Sequence, residues 1–182
     1  MAGRNPRAGA RDMFWSLAVL LVPVLIIIAI YARPGDETPR PIDYQTVLAQ
    51  AREESPYPVL APRNLPESWI PTRARWAKAG QTWLDGKPAS GNSWQLGFLD
   101  PTGTYIAVQQ RDGAAIAPFI AQLTRDGRPG EQVSLGGRLW QRHVSADGRT
   151  RSLVHSQEQM SVVVAGDTEF AQLESFAEIL TG

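Results

Sequence analysis

The sequence predicts an α+β protein, with an N-terminal transmembrane helix and one domain whose helices pack on one face of an antiparallel sheet of six or seven strands. Three observations lead to this class. Residues 13–31 carry no charge. Short apolar segments separated by Gly- and Asp-containing turns recur from residue 72 onward, as in strands joined by hairpins. Two segments, near 116–123 and 170–180, repeat apolar residues every three or four positions, so each predicts a helix with one buried side that needs a sheet face to cover.

The run MFWSLAVLLVPVLIIIAIY (residues 13–31) is the strongest signal in the chain. As a helix it would be roughly 30 Å long, about the thickness of the hydrocarbon core of a bilayer. We therefore expect a single-pass membrane helix with the lipid bilayer as its partner. A cleaved signal peptide is the alternative, but its apolar region is shorter and ends in a small-x-small site, whereas Ile30 occupies a position that would need a small residue.

The charges on either side of this run predict its direction. Three arginines and one acid precede it, and two arginines offset by three acids follow it (Arg4, Arg7, Arg11 and Asp12; Arg33, Arg40, Asp36, Glu37 and Asp43). Because arginine and lysine are retained on the cytoplasmic side, we expect residues 1–12 to be a disordered cytoplasmic tail. Residues 32–42, with three prolines, predict an extended linker. The domain 43–182 would then be extracytoplasmic at the cell membrane, a location that suits a chain without cysteine.

The first half of this domain predicts a helix, an extended segment, three strands and a second helix. Asp43 can cap the first helix, and the prolines of the next segment favour a path along a sheet edge or across a sheet face. The turn Asp100-Pro101-Thr102-Gly103 predicts a hairpin. The expected elements are helix 43–54, extended segment 57–71, strands 72–79, 93–99 and 104–110, and helix 114–124.

The second half predicts a similar order of elements. A long strand interrupted at Gly136-Gly137 is followed by a hairpin at Ala146-Asp147-Gly148 and by a closing helix that Asp167 or Thr168 can cap. The expected elements are strands 132–145, 149–157 and 159–165, and helix 168–180. Because strand, hairpin and helix follow one another twice, a weak internal repeat is one interpretation, and two similar units that arose separately are the other.

The composition of the domain argues against several function classes. From Tyr44 onward it carries 13 Lys/Arg and 14 Asp/Glu, a balance that gives no case for nucleic acid binding. His143 and His155 lie on strands joined by a predicted hairpin and could approach each other, but two histidines without a third ligand do not make a metal site, so we expect no metal and no cofactor. The chain has no Gly-x-Ser-x-Gly motif. A hydrolase that uses turn carboxylates or His143/His155 stays the alternative function.

Tryptophan is the unusual residue type, with six copies in the chain. Trp76, Trp94 and Trp140 lie on predicted strands and are expected in the core. Trp69 and Trp83 lie in predicted loops, so we expect them to be exposed and to form a surface for a ligand or partner.

Five segments of the chain carry a resemblance to a known family: PIDY (41–44), YPVLAPRNLPESW (57–69), WQLGFLDPTGTYIAVQQ (94–110), GRLWQRHVS (137–145) and VVVAGDTEFAQLESFAEIL (162–180). Together they resemble the DUF4245 family, a group of uncharacterised single-pass membrane proteins from actinobacteria. The resemblance implies a membrane topology and a high-GC Gram-positive host, but it carries no activity and no catalytic residue. We therefore expect a non-enzymatic binding or interaction module at the cell envelope, with an envelope protein, polymer or lipid as partner.

Overall fold

The N-terminal part of the chain is a single helix. The computed structural model describes residues 6–31 and 40–182, and within the helix it describes the side chains of residue 9 and residues 13–28. Helix α1 runs over Pro6–Tyr31. It begins at Pro6 and not at Met13, because proline fits the first position of a helix without losing a hydrogen bond. The disordered tail expected over residues 1–12 is therefore wrong for residues 6–12, whereas residues 1–5 and most of the linker, 32–39, lie outside the described residues.

Two further facts concern α1. Its large apolar side chains between Met13 and Ile28 are 46–72% exposed. In the described part of the chain, no helix reaches the combination of length and apolar character that a membrane crossing requires. The chain divides into two compact units between residues 38 and 39, and α1 belongs to the first.

The second unit contains a seven-stranded sheet, which confirms the predicted antiparallel α+β domain. The strand order is β2-β3-β4-β8-β7-β6-β5, and every neighbouring pair is antiparallel. Strands β1 and β9 form a separate two-stranded ladder. The elements are α2 (Gln45–Glu54), β1 (Ala61–Pro62), β2 (Ile70–Ala77), β3 (Ser93–Leu99), β4 (Tyr105–Asp112), α3 (Ile116–Thr124), β5 (Arg128–Leu135), β6 (Arg138–Val144), β7 (Arg151–Gln157), β8 (Met160–Gly166), α4 (Phe170–Glu178) and β9 (Leu180–Thr181).

The structure corrects two of the predicted elements. The single strand expected over 132–145 is the hairpin of β5 and β6, because Gly136 and Gly137 both adopt positive φ angles of 54° and 73° and turn the chain back on itself. The last helix ends at Glu178 because the following residues pair with β1 as β9.

One face of the sheet, here called the core face, carries the main hydrophobic core. The register pairs Leu96 with Val108 and Val108 with Val164, so these side chains lie on the same side. Helices α2 and α4 cover this face, and the extended segment after α2 crosses it with Val59 and Leu60 buried. The fully buried side chains include Trp94 and Trp140, which confirms the core prediction for those two tryptophans.

The opposite face, here called the pocket face, carries a smaller core under α3. Phe119 of α3 packs against Val154 and Val163, which point away from the core face. The prediction that all helices lie on one face is therefore wrong. The reason is visible in β8, where the apolar residues 162–164 are all buried, as is typical of strands covered on both faces.

The strands of the two halves are arranged alike around the centre of the sheet. From the central pair of β4 and β8, the order outward is β3 and β2 on one side, and β7 and β6 on the other. The helices that follow β4 and β8 lie on opposite faces, however, because α3 belongs to the smaller core and α4 to the main core. The similarity between the halves therefore does not extend to their helices.

Candidate functional site

A polar cavity lies on the pocket face, where α3 leaves β3 and β4 uncovered. Its volume is about 300 Å³, at the lower end of the range for ligand pockets. Strands β3 and β4 supply its floor, the loop 83–90 one wall and α3 the other. We call it the arginine pocket; it is lined by Trp83, Leu84, Asp85, Lys87, Pro88, Ala89, Ser90, Gln95, Gln109, Arg111, Phe119, Gln122 and Leu123.

The loop that forms the first wall is held by its own backbone hydrogen bonds. The amide of Trp83 donates to the carbonyl of Lys87 at 2.8 Å, and the amide of Ala89 donates to the carbonyl of Gln81 at 2.7 Å. This small hairpin packs Trp83 and Ala89 against Ala77 of β2. The hydrogen bonds within the loop and its packing on β2 therefore fix this wall of the pocket without a ligand.

Arg111 of β4 lies at the centre of the pocket between two aromatic rings. Its guanidinium carbon is 4.7 Å from the ring centroid of Phe119 and 5.8 Å from that of Trp83, both within the range of cation–π attraction. Its Nε donates to Ser93 Oγ at 2.9 Å and its Nη1 to Ser90 Oγ at 3.4 Å. The register places Ser93 directly opposite Arg111, so the sheet itself positions the guanidinium.

Arg111 is a buried cation without a carboxylate partner. Its exposed fraction is 8%, and none of the ion pairs among the described residues includes it. Burial lowers the pKa of the guanidinium from its ordinary value, and the Asp85 carboxylate in the wall works against this shift. Because arginine stays charged in proteins, the pocket has a positive centre.

Gln95 provides a second polar group that lacks a partner. It lies on β3 beside Gln109 of β4 and is 4% exposed. Its Oε1 is buried and makes no hydrogen bond to any described residue. Buried polar atoms are nearly always hydrogen-bonded, so this oxygen marks a place where a ligand group could donate.

A larger groove adjoins the arginine pocket on the same face. Its volume is about 550 Å³, and it shares Gln109, Gln122 and Leu123 with the pocket. Its floor contains Ala107, a small side chain, and its far end is lined by Arg125 and other residues (Tyr105, Thr150, Asp167). Together the two cavities form one depression along one side of α3.

Neither of the two tryptophans predicted to form an exposed surface, Trp69 and Trp83, is fully exposed in the structure. Trp83 is only 9% exposed and belongs to a buried cluster, so the expected exposed ring is instead a wall of the arginine pocket. Trp69 is partly buried and stacks on Phe176 of α4, with 5.6 Å between ring centroids. The two rings lie in different clusters, on opposite faces of the sheet, and do not form one platform.

The two histidines are held by different parts of the backbone. His143 lies opposite Ser152, and His155 lies opposite Val162, so the alternation along β7 places the two rings on different faces. The Nδ1 of His143 donates to the carbonyl of Gly127, and that of His155 to the carbonyl of Leu139. Each ring therefore joins two segments of backbone. Both residues also line one cavity of about 380 Å³, together with Gln141 and Val154, and their approach to each other stays a prediction.

The turn carboxylates mainly support the backbone. Asp100, Asp112 and Asp147 accept backbone N–H groups of Thr102, Asn92 and Arg149, as expected for Asp at turns. Asp85 is the one carboxylate that lines the arginine pocket within the described residues. The described residues also contain no group of three His, Cys, Asp or Glu that could hold a metal ion.

The family comparison agrees with the resemblance found in the sequence. The model of a protein family described as "Protein of unknown function (DUF4245)" matches residues 7–180. The chain belongs to the DUF4245 family. A comparison with curated proteins finds no match. The family relationship covers nearly all of α1 and of the sheet domain but assigns no activity to either.

Sequence reasoning missed Arg111 and Gln95. The available signal was the pattern of β4, where Ala107, Gln109 and Arg111 alternate with the apolar residues Ile106 and Val108. Such alternation indicates that the polar residues share one face. It does not reveal that α3 and the loop 83–90 cover that face.

Proposed function

We propose that this DUF4245 protein is a single-pass membrane-anchored protein whose sheet domain is a non-enzymatic binding module outside the cytoplasm. The observation that carries the binding role is the arginine pocket, in which a buried cation lies against two aromatic rings and Gln95 has an unpartnered amide oxygen. A single carboxylate lines this pocket in the described residues, whereas hydrolysis by paired carboxylates needs two. The partner would be an envelope protein, polymer or lipid.

The membrane anchor is supported by the sequence of residues 13–31. This run contains no charged residue, and hydrocarbon tails are a favourable environment for side chains of this kind. The arginine excess before the run supports a cytoplasmic N-terminus. A cell envelope of the actinobacterial type is the setting that the family resemblance implies.

Cysteine labelling can test the topology, because the chain has no cysteine of its own. We would introduce Gly3→Cys in one variant and Thr102→Cys, on an exposed turn, in another. A membrane-impermeant maleimide applied to intact cells should label Cys at position 102 and should label position 3 only after lysis. Labelling of position 3 in intact cells, or protection of position 102, would contradict the proposed orientation.

Photo-cross-linking can test the binding role in intact cells. A photoreactive amino acid at Gln122, an exposed residue on the rim of the arginine pocket, should yield specific adducts. The same amino acid at Glu67, an exposed loop residue that lines none of the cavities described above, is the matched control. If the adducts at the two positions are the same, the pocket face is not a binding surface.

Activity screening distinguishes the hydrolase alternative. The purified chain would be assayed on ester and cell-wall substrates, and we expect no turnover. Turnover that is lost in His155→Ala or Asp147→Asn would replace the binding module with an enzyme. Because both side chains support backbone segments, the unfolding midpoint of each variant must be measured alongside.

A further inference from the structure

The first step concerns the charge that the arginine pocket lacks. Arginine is almost never fully buried unless it is paired, and burying an unpaired charge is costly. Arg142 on the core face shows the usual arrangement, because it forms ion pairs with Glu131 and Glu174. Arg111 is more buried and belongs to no ion pair among the described residues. The Asp85 carboxylate in the wall acts on Arg111 only from beyond ion-pair distance, so a ligand could supply a counter-charge in direct contact with the guanidinium.

The second step concerns the shape of that counter-charge. A guanidinium has five N–H groups in a planar fork. Ser93 and Ser90 accept from Nε and Nη1 of Arg111, and the rings of Phe119 and Trp83 hold the group in place. The remaining Nη N–H groups make no hydrogen bond within the described part of the chain. Adjacent guanidinium N–H groups match the two oxygens of a carboxylate or phosphate.

The third step concerns the unpartnered oxygen of Gln95. Ser93 pairs with Arg111 and Gln95 with Gln109, so Gln95 and Arg111 are diagonal neighbours on the same face. Diagonal neighbours lie about 7–8 Å apart in an antiparallel sheet. A buried acceptor without a hydrogen bond costs the full desolvation free energy of that group. A hydrogen bond from a hydroxyl or amide N–H of a ligand would offset this cost. Gln95 therefore indicates that the ligand carries a hydrogen-bond donor, at a distance from its anionic group that a single small molecule can span.

From these three steps we infer that the arginine pocket binds a small ligand with an oxyanion, either a carboxylate or a phosphate, held by Arg111, and with a hydroxyl or amide donor held by Gln95. The inference rests on the proposed binding role and specifies its ligand chemistry. Sugar acids and sugar phosphates share this chemistry, and so do the building units of envelope polymers that carry such groups. The cavity volume of about 300 Å³ suits one such unit.

Calorimetric titration of the full chain in detergent tests this inference with three probes: glucuronate, glucose 6-phosphate and neutral glucose. At least one of the two anions should bind, at least about tenfold more tightly than glucose. Comparing the two anions identifies the source of the oxyanion. If neither anion binds at millimolar concentration, the inference is overturned. Adducts at the Gln122 position in the cell experiment would still support the binding role in that case.

Three variants assign the binding to the proposed residues. Arg111→Met removes the charge but keeps a long apolar stem between the two rings, and it should abolish binding of the anion. If that variant does not fold, Arg111→Lys keeps the charge without the planar fork and should weaken binding by about tenfold. Arg142→Met, which removes an already paired arginine on the core face, should bind as the parent chain does.

Gln95→Leu gives an independent measurement. It should weaken binding by about tenfold while the unfolding midpoint stays the same or rises. Unchanged binding in the Arg111 variants, or glucose binding as tight as that of the anions, would show that the guanidinium serves packing alone and would overturn the inference.

Discussion

The two faces of the sheet differ in how their buried glutamine side chains are hydrogen-bonded. On the core face, Gln110 is fully buried, and its Oε1 accepts from the amide of Leu60 at 2.6 Å while its Nε2 donates to the carbonyl of Pro58 at 3.0 Å. On the pocket face, Gln95 is nearly as buried, and its Oε1 has no partner among the described residues. The buried glutamine of the core face therefore stabilises the fold through its hydrogen bonds, whereas the amide oxygen of Gln95 on the pocket face is left without a hydrogen bond to the described residues.

The arginines show the same difference. Arg142 bonds Glu174 of α4 and so connects the core face to its covering helix. Arg111 is held by rings and hydroxyl groups, which fix its position but do not neutralise its charge. Burying an unpaired charge is costly, and Arg142 avoids this cost through its ion pairs whereas Arg111 does not. The difference supports the proposal that the core face mainly stabilises the fold and that the pocket face binds a ligand.

The largest expected effect is on the core face, at Phe98. This ring is 1% exposed and packs edge-on against Tyr44 and Phe176. Phe98→Ala should lower the free energy of unfolding by about 3–5 kcal/mol, because it removes a buried ring and leaves a cavity. Denaturant unfolding followed by circular dichroism measures this change. Phe119→Ala, whose ring borders the arginine pocket, should cost less, and equal costs would contradict the division between the faces.

The next effect compares the two buried glutamines directly. Gln110→Leu should lower the free energy of unfolding by about 2–3 kcal/mol, because it leaves the amide of Leu60 and the carbonyl of Pro58 without partners. Gln95→Leu should be neutral or slightly stabilising, because it removes an unpartnered oxygen. The same denaturant experiment on both variants checks the pair. A loss of stability in Gln95→Leu similar to that in Gln110→Leu would show that Gln95 also holds the fold.

A smaller effect concerns the acid sensitivity of the β3–β4 turn. Burial raises the pKa of Asp100, but hydrogen bonds from Thr102, Thr104 and Gln172 of α4 outweigh it, so the pKa lies below the ordinary value. A lowered pKa means that the stability which the ionised carboxylate contributes is present above the unfolded pKa and is lost as the pH falls through the folded pKa. The loss should therefore begin below about pH 5.

Thermal unfolding of Asp100→Asn at a series of pH values measures this contribution. The parent chain should lose more of its unfolding midpoint than the variant does as the pH falls from about 6 to about 3. Glu67→Gln controls for the removal of one negative charge from an exposed position. Parallel pH curves for the parent and Asp100→Asn would mean that the turn does not depend on the charge of Asp100.

Local chemistry explains which elements could be predicted from the sequence. The β3–β4 hairpin was predicted closely because Asp100 accepts the N–H groups of Thr102 and Thr104 inside the turn itself. The sequence does not predict the hairpin of β5 and β6, because β5 is mostly exposed and lacks apolar alternation, so the pattern indicates an interruption at Gly136-Gly137 and not a turn. A turn is predictable when its own residues stabilise it and when both strands carry a pattern.

The candidate site could not be predicted because it depends on contacts between distant segments. Trp83 was expected in an exposed loop, but that loop folds back on Ala77 and places the ring above Arg111. Arg111 gains its serine partners only through the register of β3 with β4. The face that α3 covers depends on the path of the chain after β4, which the apolar stripe of α3 does not specify.

The smallest expected effect is at Gly97 of β3, which the register with Ala107 places on the pocket face. A Cβ at this position would lie 2.1 Å from the hydroxyl of Tyr105. Because Tyr105 is 38% exposed, its ring can move aside, and Gly97→Ala should lower the free energy of unfolding by about 1 kcal/mol or less. Fluorescence and thermal unfolding would show a displaced ring with a nearly unchanged midpoint. A large loss of stability would mean that the pocket face is as closely packed as the core face, and the two faces would then differ only in their polar groups.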